Sequence, residues 1–328
     1  MRILLSRTDR VGDLILSTPA IASLRRSFPN AQIRLVCSAY NKVVVERNPD
    51  LDSIETLPDG IDPRAFGARF RGEVDIAIAL APRTTDIRLV GATRAPRRIG
   101  YTYLSRLVAR IAARRDLTDL LISEADPRLA ERREPYPVRH EVLQVLALAE
   151  RAGATKLVYD LVVRLGDGDR EAARDVPAGG IVVHVAQRWM REGSTLESLI
   201  ALLSELRVLR RPIVVTYGEE MNGVAASLAE SGAADLVAGG LPFSTWAAVF
   251  EKSACVVTVD TGATHVASAM RRPTVVLFEH RYFRLNSQEW SPWGVPYALV
   301  RKPASEEPAA LAEERSEIVD GVRRLLLP

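Results

Sequence analysis

Short apolar runs of strand length alternate along the chain with longer segments whose apolar positions recur at helical spacing. Residues 2–6 read as a first strand, followed by strands at 33–37 and, shorter, 53–57. Residues 74–81 are apolar at nearly every position, as expected of a strand covered on both faces. A further strand at 97–100 follows the next helix. Residues 14–28 place Leu14, Ile15, Ala20, Ile21 and Leu24 on one helical face, and Pro19 is expected to bend or loosen that helix. A helix at 141–151 closes the first half.

From 166 to 180 the texture changes to Gly, Asp, Arg and Pro, which reads as a linker holding a short helix. The alternation then restarts. Strands are expected at 181–186, 212–217, 236–237, 255–260 and 274–278, and helices at 196–209, 223–230 and 243–252. Strand–helix alternation of this kind builds a parallel sheet with helices on both faces, an α/β fold. The 328 residues exceed what one core usually carries, so two domains are expected, 1–165 and 166–328. The amphipathic segment 309–327 is a terminal helix whose position leaves it able to pack back on the first domain. No clean internal sequence repeat is visible.

Composition narrows this only slightly. No stretch approaches the ~20 uncharged apolar residues of a membrane span, and the apolar run at residues 3–5 is too short for a signal peptide. Cys37 and Cys255 each lie in a strand-like run, where a buried free thiol is expected, in keeping with a reducing, cytoplasmic setting. The formal net charge is +3, and Arg94, Arg97, Arg98, Arg106, Arg110, Arg114 and Arg115 form the densest basic group. Such a group is either a solvated helical face or a surface for an anionic partner, lipid headgroup or phosphorylated acceptor. No nucleic-acid-binding signature accompanies it, so nucleic acid is not expected as a partner.

Two segments carry candidate chemistry. In Asp260-Thr261-Gly262-Ala263-Thr264-His265 a strand ends and a helix starts within a few residues. Open α/β sheets bind ligands at such carboxyl ends, and a new helix offers free N–H groups to an anion such as a pyrophosphate. The alternative is an ordinary N-cap, which needs no ligand. The second segment is the polar loop after the first strand, ending in Gly12-Asp13. Asp13 is either another helix cap or a general base for an acceptor hydroxyl. Neither a G-x-G-x-x-G after the first strand nor a phosphate-binding G-x-x-x-x-G-K-[ST] occurs, which argues against a dinucleotide oxidoreductase and a P-loop NTPase. Asp50-x-Asp52 and Asp167-x-Asp169 have the spacing of a D-x-D metal motif but lack its buried-strand context, and the four histidines lack metal-ligand spacing, so no metal site is expected.

Taken together, the run from Arg10 to Ala20 and the Asp260–His265 turn, followed by Arg272-Pro273-Thr274-Val275-Val276-Leu277-Phe278, resemble glycosyltransferase family 9, the family of the ADP-heptose:lipopolysaccharide heptosyltransferases. Arg98-Ile99-Gly100-Tyr101, Arg139-His140-Glu141 and Trp290-Ser291-Pro292-Trp293 agree more weakly. The resemblance implies a GT-B fold, with two Rossmann-like domains facing across a cleft, the first for the acceptor and the second for the nucleotide-sugar. It implies inverting transfer without a metal or other cofactor, from an ADP-linked heptose donor to a glycan, glycolipid or other hydroxyl acceptor in lipopolysaccharide or related glycoconjugate synthesis. Asp13 matches the family's general base. Asp260, Thr261, Gly262, Thr264 and His265 match its donor site, and Arg10, Gly12, Arg98 and Tyr101 fall where the acceptor is expected. Work on a lipid-linked acceptor would bring peripheral contact with the inner membrane.

The sequence also departs from the family. A Lys-x-Trp-Pro segment usual after the first strand of the second domain is replaced by residues 185–194, and the Lys position falls on Glu192. Arg188 and Arg191 are the candidates for the missing charge. Glu219 and Glu220 are close to the nucleoside-side Glu but shifted, with Asn222 at its expected place, and Phe278-Glu279 replaces Phe-Gly. A non-catalytic nucleotide-sugar binder and a same-fold nucleotide-sugar epimerase are the alternative readings.

Overall fold

The protein, seen in a computed structural model that describes residues 1–191 and 194–327, divides into two units, Met1–Arg164 and Leu165–Pro328. The first contains β1 (Arg2–Arg7), α1 (Val11–Ser27), β2 (Gln32–Cys37), β3 (Ser53–Thr56), α2 (Pro63–Ala68), β4 (Ile76–Ala79), α3 (Thr84–Ala92), β5 (Arg97–Tyr103), α4 (Leu107–Asp116), β6 (Asp119–Ser123), α5 (Pro127–Arg132) and α6 (Glu141–Ala152). Its sheet has the order β3-β2-β1-β4-β5-β6, parallel throughout. The strand order reverses at β1, so the crevice between the carboxyl ends of β1 and β4 is the switch point at which such sheets take ligands.

The second unit repeats that plan. It contains α7 (Asp167–Ala172), β7 (Ile181–Val185), α8 (Leu196–Leu206), β8 (Ile213–Tyr217), α9 (Asn222–Glu230), β9 (Leu236–Gly239), α10 (Phe243–Lys252), β10 (Cys255–Val259), α11 (Gly262–Ala269), β11 (Thr274–Phe278), α12 (Phe283–Glu289), β12 (Tyr297–Arg301) and α13 (Pro308–Leu326). Its order, β12-β11-β10-β7-β8-β9, is the first sheet's order read from the other edge, with the switch point between β7 and β10. The strands that flank both switch points are buried, including Ile3, Leu4 and Leu5 in β1 and Val256, Val257 and Val259 in β10. Cys37 and Cys255 are buried free thiols.

α1 is buried on nearly all sides, and Pro19 does not interrupt it. A proline removes the N–H that would bond the carbonyl four residues back, here Ile15. The Thr18 hydroxyl donates to that carbonyl instead, at 2.7 Å, and itself accepts from the Val162 amide at 2.8 Å. The expected linker does hold a short helix, α7, and it is fastened rather than loose. Arg170 makes two bonds to Glu251, at 2.7 and 2.9 Å, and Lys252 Nζ donates to the carbonyls of Ala173 and Arg174. The terminal helix α13 packs on its own unit, against α8 and the β10–β12 side of the sheet, through Leu311, Ile318 and Val322. Among the described residues no helix is long and apolar enough to cross a membrane.

Candidate active site

At the first switch point the side chain of Arg7, the last residue of β1, is buried, with 1% of it exposed. Its guanidinium reaches Asp9 at 2.9 Å, Asp13 at 2.9 Å and Glu141 at 2.8 Å, and also donates to the Leu80 carbonyl. Burial works against the guanidinium charge, but Asp9, Glu141 and Asp13 hold it, so its pKa is raised well above the usual value. Glu141 opens α6, and burial pushes its carboxyl up to about 7 against the pull of Arg7. The Tyr101 hydroxyl donates to the same carboxylate, at 2.8 and 3.0 Å to its two oxygens. Asp86, in the first turn of α3, accepts from Ser6 Oγ at 2.6 Å and from the Thr8 amide at 3.0 Å, and burial raises it to about 6. Asp9 is raised for the same reason.

Asp13 lies in the first turn of α1, which starts at Val11, three residues before the expected start at 14. The helix has no side-chain cap, so Asp13 is not acting as one; its carboxylate is turned to Arg7 instead. One carboxylate oxygen is thereby fixed, while the side chain keeps 16% of its surface open. A carboxylate oriented by a buried cation and still reachable has the geometry of a general base.

At the second switch point Arg188 and Asp260 meet. Arg188 follows β7 in the 3₁₀ turn Gln187–Met190, Asp260 follows β10, and Nη1 and Oδ2 are 2.5 Å apart. α11 begins next to this pair without a side-chain cap: the Thr261 hydroxyl turns back to the Val259 carbonyl at 3.2 Å, and Thr264 Oγ1 does the same at 3.4 Å. Thr261 is the N-cap residue of α11, and its side chain makes no capping bond. The site presents the start of a helix and a guanidinium side by side, an arrangement suited to a diphosphate. The turn bearing Arg188 is anchored from behind by Lys302, 1% exposed, whose ammonium donates to the carbonyls of Arg188 and Trp189 at 3.0 Å each, and to that of Arg191. Glu314 of α13 is drawn to Lys302, but burial still pushes it up to about 7.

The remaining expected residues fall in several places. His265 is buried in α11, its ring 6.4 Å from that of Trp290. Gly262 opens α11, and Arg191 is exposed, donating to Gln187 Oε1 at 3.0 Å. Glu219 and Glu220 are exposed on the 3₁₀ turn after β8. Arg10 is exposed at the N-cap of α1, and Gly12 is buried beneath it. Two acceptor-side candidates, Tyr101 and Arg98, are bonded within the first unit. Tyr101 is fully buried with its hydroxyl committed to Glu141, so it backs the Arg7 network rather than touching a ligand. Arg98 spends its guanidinium on the carbonyls of Asp116 and Ala95, at 2.7 and 2.6 Å. Asp52 and Asp169 have local backbone duties, accepting from the amides of Ile33 and Gly166. Glu192 lies outside the described residues.

Sequence reading did not single out Arg7 or Lys302. A basic residue at a strand end normally reads as solvent-facing, and only the spacing of Arg7 to Asp9 and Asp13 hinted otherwise. Glu141 was visible only as part of a weak motif.

Two parallel six-stranded sheets of one Rossmann-like order, each with a polar cluster at its switch point, give the α/β architecture of the GT-B fold. Residues 212–318 match the model of glycosyltransferase family 9 (heptosyltransferase), the family that the sequence motifs resemble. A glycosyl transferase family 9 structure from Veillonella parvula shares the fold at 18% identity and TM-score 0.79, over 99% of this chain and 97% of that one. The E. coli ADP-heptose lps heptosyltransferase II does so at 19% identity and TM-score 0.74, over 99% and 98%. The E. coli heptosyltransferase WaaC with ADP does so at 17% identity and TM-score 0.70, over 98% and 100%. Among curated protein sequences no relative matches this chain.

Proposed function

We propose that the protein transfers a sugar from a nucleoside-diphosphate donor to an acceptor hydroxyl with inversion and without a metal, the donor being ADP-heptose. The observation that carries this reading is the Arg188–Asp260 pair beside the uncapped start of α11. The solved heptosyltransferase with ADP, similar in fold, supports adenine as the base. Arg188, with Arg191 nearby, takes the charge role of the family Lys. The acceptor is a glycolipid of lipopolysaccharide or a related glycoconjugate, handled in the cytoplasm.

In this mechanism Asp13 accepts the proton of the acceptor hydroxyl as that oxygen attacks the anomeric carbon. The bond from the anomeric carbon to the phosphate oxygen breaks, and its electron pair leaves on the nucleoside diphosphate. Arg188 and the leading amides of α11 stabilise the charge that grows there. Arg7 holds Asp13 in one rotamer, and Glu141 with Tyr101 fixes Arg7. The test is Asp13→Asn. Removing a general base costs about 10²- to 10⁴-fold in turnover, and we expect ADP affinity within about twofold of the parent by calorimetry. Transfer at the parental rate would remove Asp13 as base, and loss of ADP binding would make it structural.

A further inference from the structure

The basic group does not act as one surface. Arg97 donates to the carbonyls of Arg151 and Ala152, Arg98 is bound to carbonyls, and Arg110 donates to the Leu104 carbonyl at 3.0 Å. What the structure exposes beside these is apolar. α4 packs on α3 and β5 through Ala113, and its opposite face carries Leu107 at 59%, Val108 at 82% and Ile111 at 51% exposure, continued by Leu104 at 43% in the turn before it. Positions 104, 107, 108 and 111 follow the i, i+3, i+4, i+7 spacing of one stripe. Four aliphatic side chains on one outward face are more than scattered surface residues, which need no partner. Arg106, Arg114 and Arg115 are exposed around the stripe, and the chain contains no Asp or Glu between Asp86 and Asp116.

We propose that this face of α4 inserts shallowly into an anionic lipid bilayer. An apolar stripe framed by Arg supplies the two signals that stable interfacial binding requires, buried area and attraction to acidic headgroups, and Arg stems suit the boundary between them. A second copy of this chain is the poorer occupant. A two-fold contact sets the same patch against itself, which brings Arg106, Arg114 and Arg115 of one copy against those of the other. The placement also has a use. Leu104 follows the carboxyl end of β5, and Asp13 follows that of β1, the same edge of a parallel sheet. With β4 alone between them, the two strands lie about 10 Å apart. A bilayer held by α4 therefore borders the edge that carries Asp13, and a lipid-anchored acceptor would need only its sugar head to reach the carboxylate. That last consequence rests on the transferase reading; the lipid binding does not.

The test is flotation of the full chain with phosphatidylglycerol–phosphatidylcholine vesicles and with phosphatidylcholine alone, without substrates. The parent is expected to float with the anionic vesicles, to lose most of this at high salt, and to bind pure phosphatidylcholine weakly. Val108→Glu with Ile111→Glu, both on exposed positions, abolishes binding while the melting temperature and the ADP response stay parental. Arg114→Ser with Arg115→Ser weakens partitioning about 30-fold, from the roughly fivefold each basic residue contributes at an anionic surface. Equal binding to both vesicle types, or unchanged flotation of the Glu variant, overturns the proposal. So does self-association by light scattering that the Glu variant abolishes while the parent ignores vesicles. A parent that floats but transfers no sugar would leave the membrane face standing and overturn the transferase reading alone.

Discussion

Arg7 concentrates the chemistry of the first unit into one side chain. A buried guanidinium that serves three carboxylates cannot be removed without leaving several acids together in a low-dielectric site, where unpaired charge is costly. Its partner Glu141 has a measurable signature. Burial raises that carboxyl from 4.5 to about 7, so the folded protein binds its proton more tightly than the unfolded chain. The stabilisation from this proton is therefore complete below about pH 4.5 and is lost as pH rises through about 7. Asp86, raised from 3.8 to about 6, acts in the same direction over a lower window. Relative to Glu141→Gln, the parent should lose about 3 kcal/mol of stability between those limits, read from denaturant unfolding at a series of pH values. A pH-independent difference would mean that Arg7 keeps Glu141 ionised throughout. Much of this was hidden in the sequence. Asp13, Arg188 and Asp260 were legible because each follows a recognisable strand, whereas the burial of Arg7, Glu141 and Tyr101 depends on β4 pairing beside β1 and on α6 packing against α1 and β5, contacts made from far along the chain.

Among the elements, the strands next to the switch points were the most legible, since β1, β4, β7 and β10 are apolar on both faces. β6 and β12 escaped notice because they are edge strands, only partly buried, with charged or polar residues at their ends. α1 starts earlier than its apolar stripe suggests because Val11 and Gly12 are carried into the helix without a cap. α4 was read as charge alone, and its exposed aliphatic face became visible only once the fold showed which side Ala113 occupies. The turn after β7 depends on an element that sequence spacing could not connect to it, the residue just beyond β12. Lys302 holds three carbonyls of that turn, and a bond to a charged group contributes about 1.5–3 kcal/mol. Lys302→Met should cost about 3 kcal/mol or more in thermal unfolding and weaken ADP binding by displacing Arg188. Arg315→Ala, which frees Glu205 and Ser198 on α8 from α13, serves as the control that lowers stability without changing ADP affinity. Parental ADP affinity in Lys302→Met would show that the turn keeps its place unaided.

At the scale of the molecule, two units use one strand order, and each puts its polar cluster at the carboxyl ends of the strands where that order reverses. The repetition has no counterpart in sequence identity between the halves, because a Rossmann-like sheet constrains the burial pattern of its strands and leaves most residue identities free. The specific residues of the two clusters divide the labour: carboxylates around one buried cation in the first, and a guanidinium with a helix start in the second. In the proposed function the second cluster holds the diphosphate of an ADP-linked donor. The most direct measurement is the thermal shift of the parent and of Arg188→Ala with ADP, UDP, GDP, dTDP and CDP, each with and without EDTA. A ligand at about 100 times its Kd stabilises the native state by roughly 2.7 kcal/mol, or about 5 °C or more for a unit of this size. A diphosphate site at Arg188 gives a shift of that order with ADP, smaller shifts with the other nucleotides, no effect of EDTA, and a much reduced shift in Arg188→Ala. An absent ADP shift, or one that Arg188→Ala leaves intact, would contradict it.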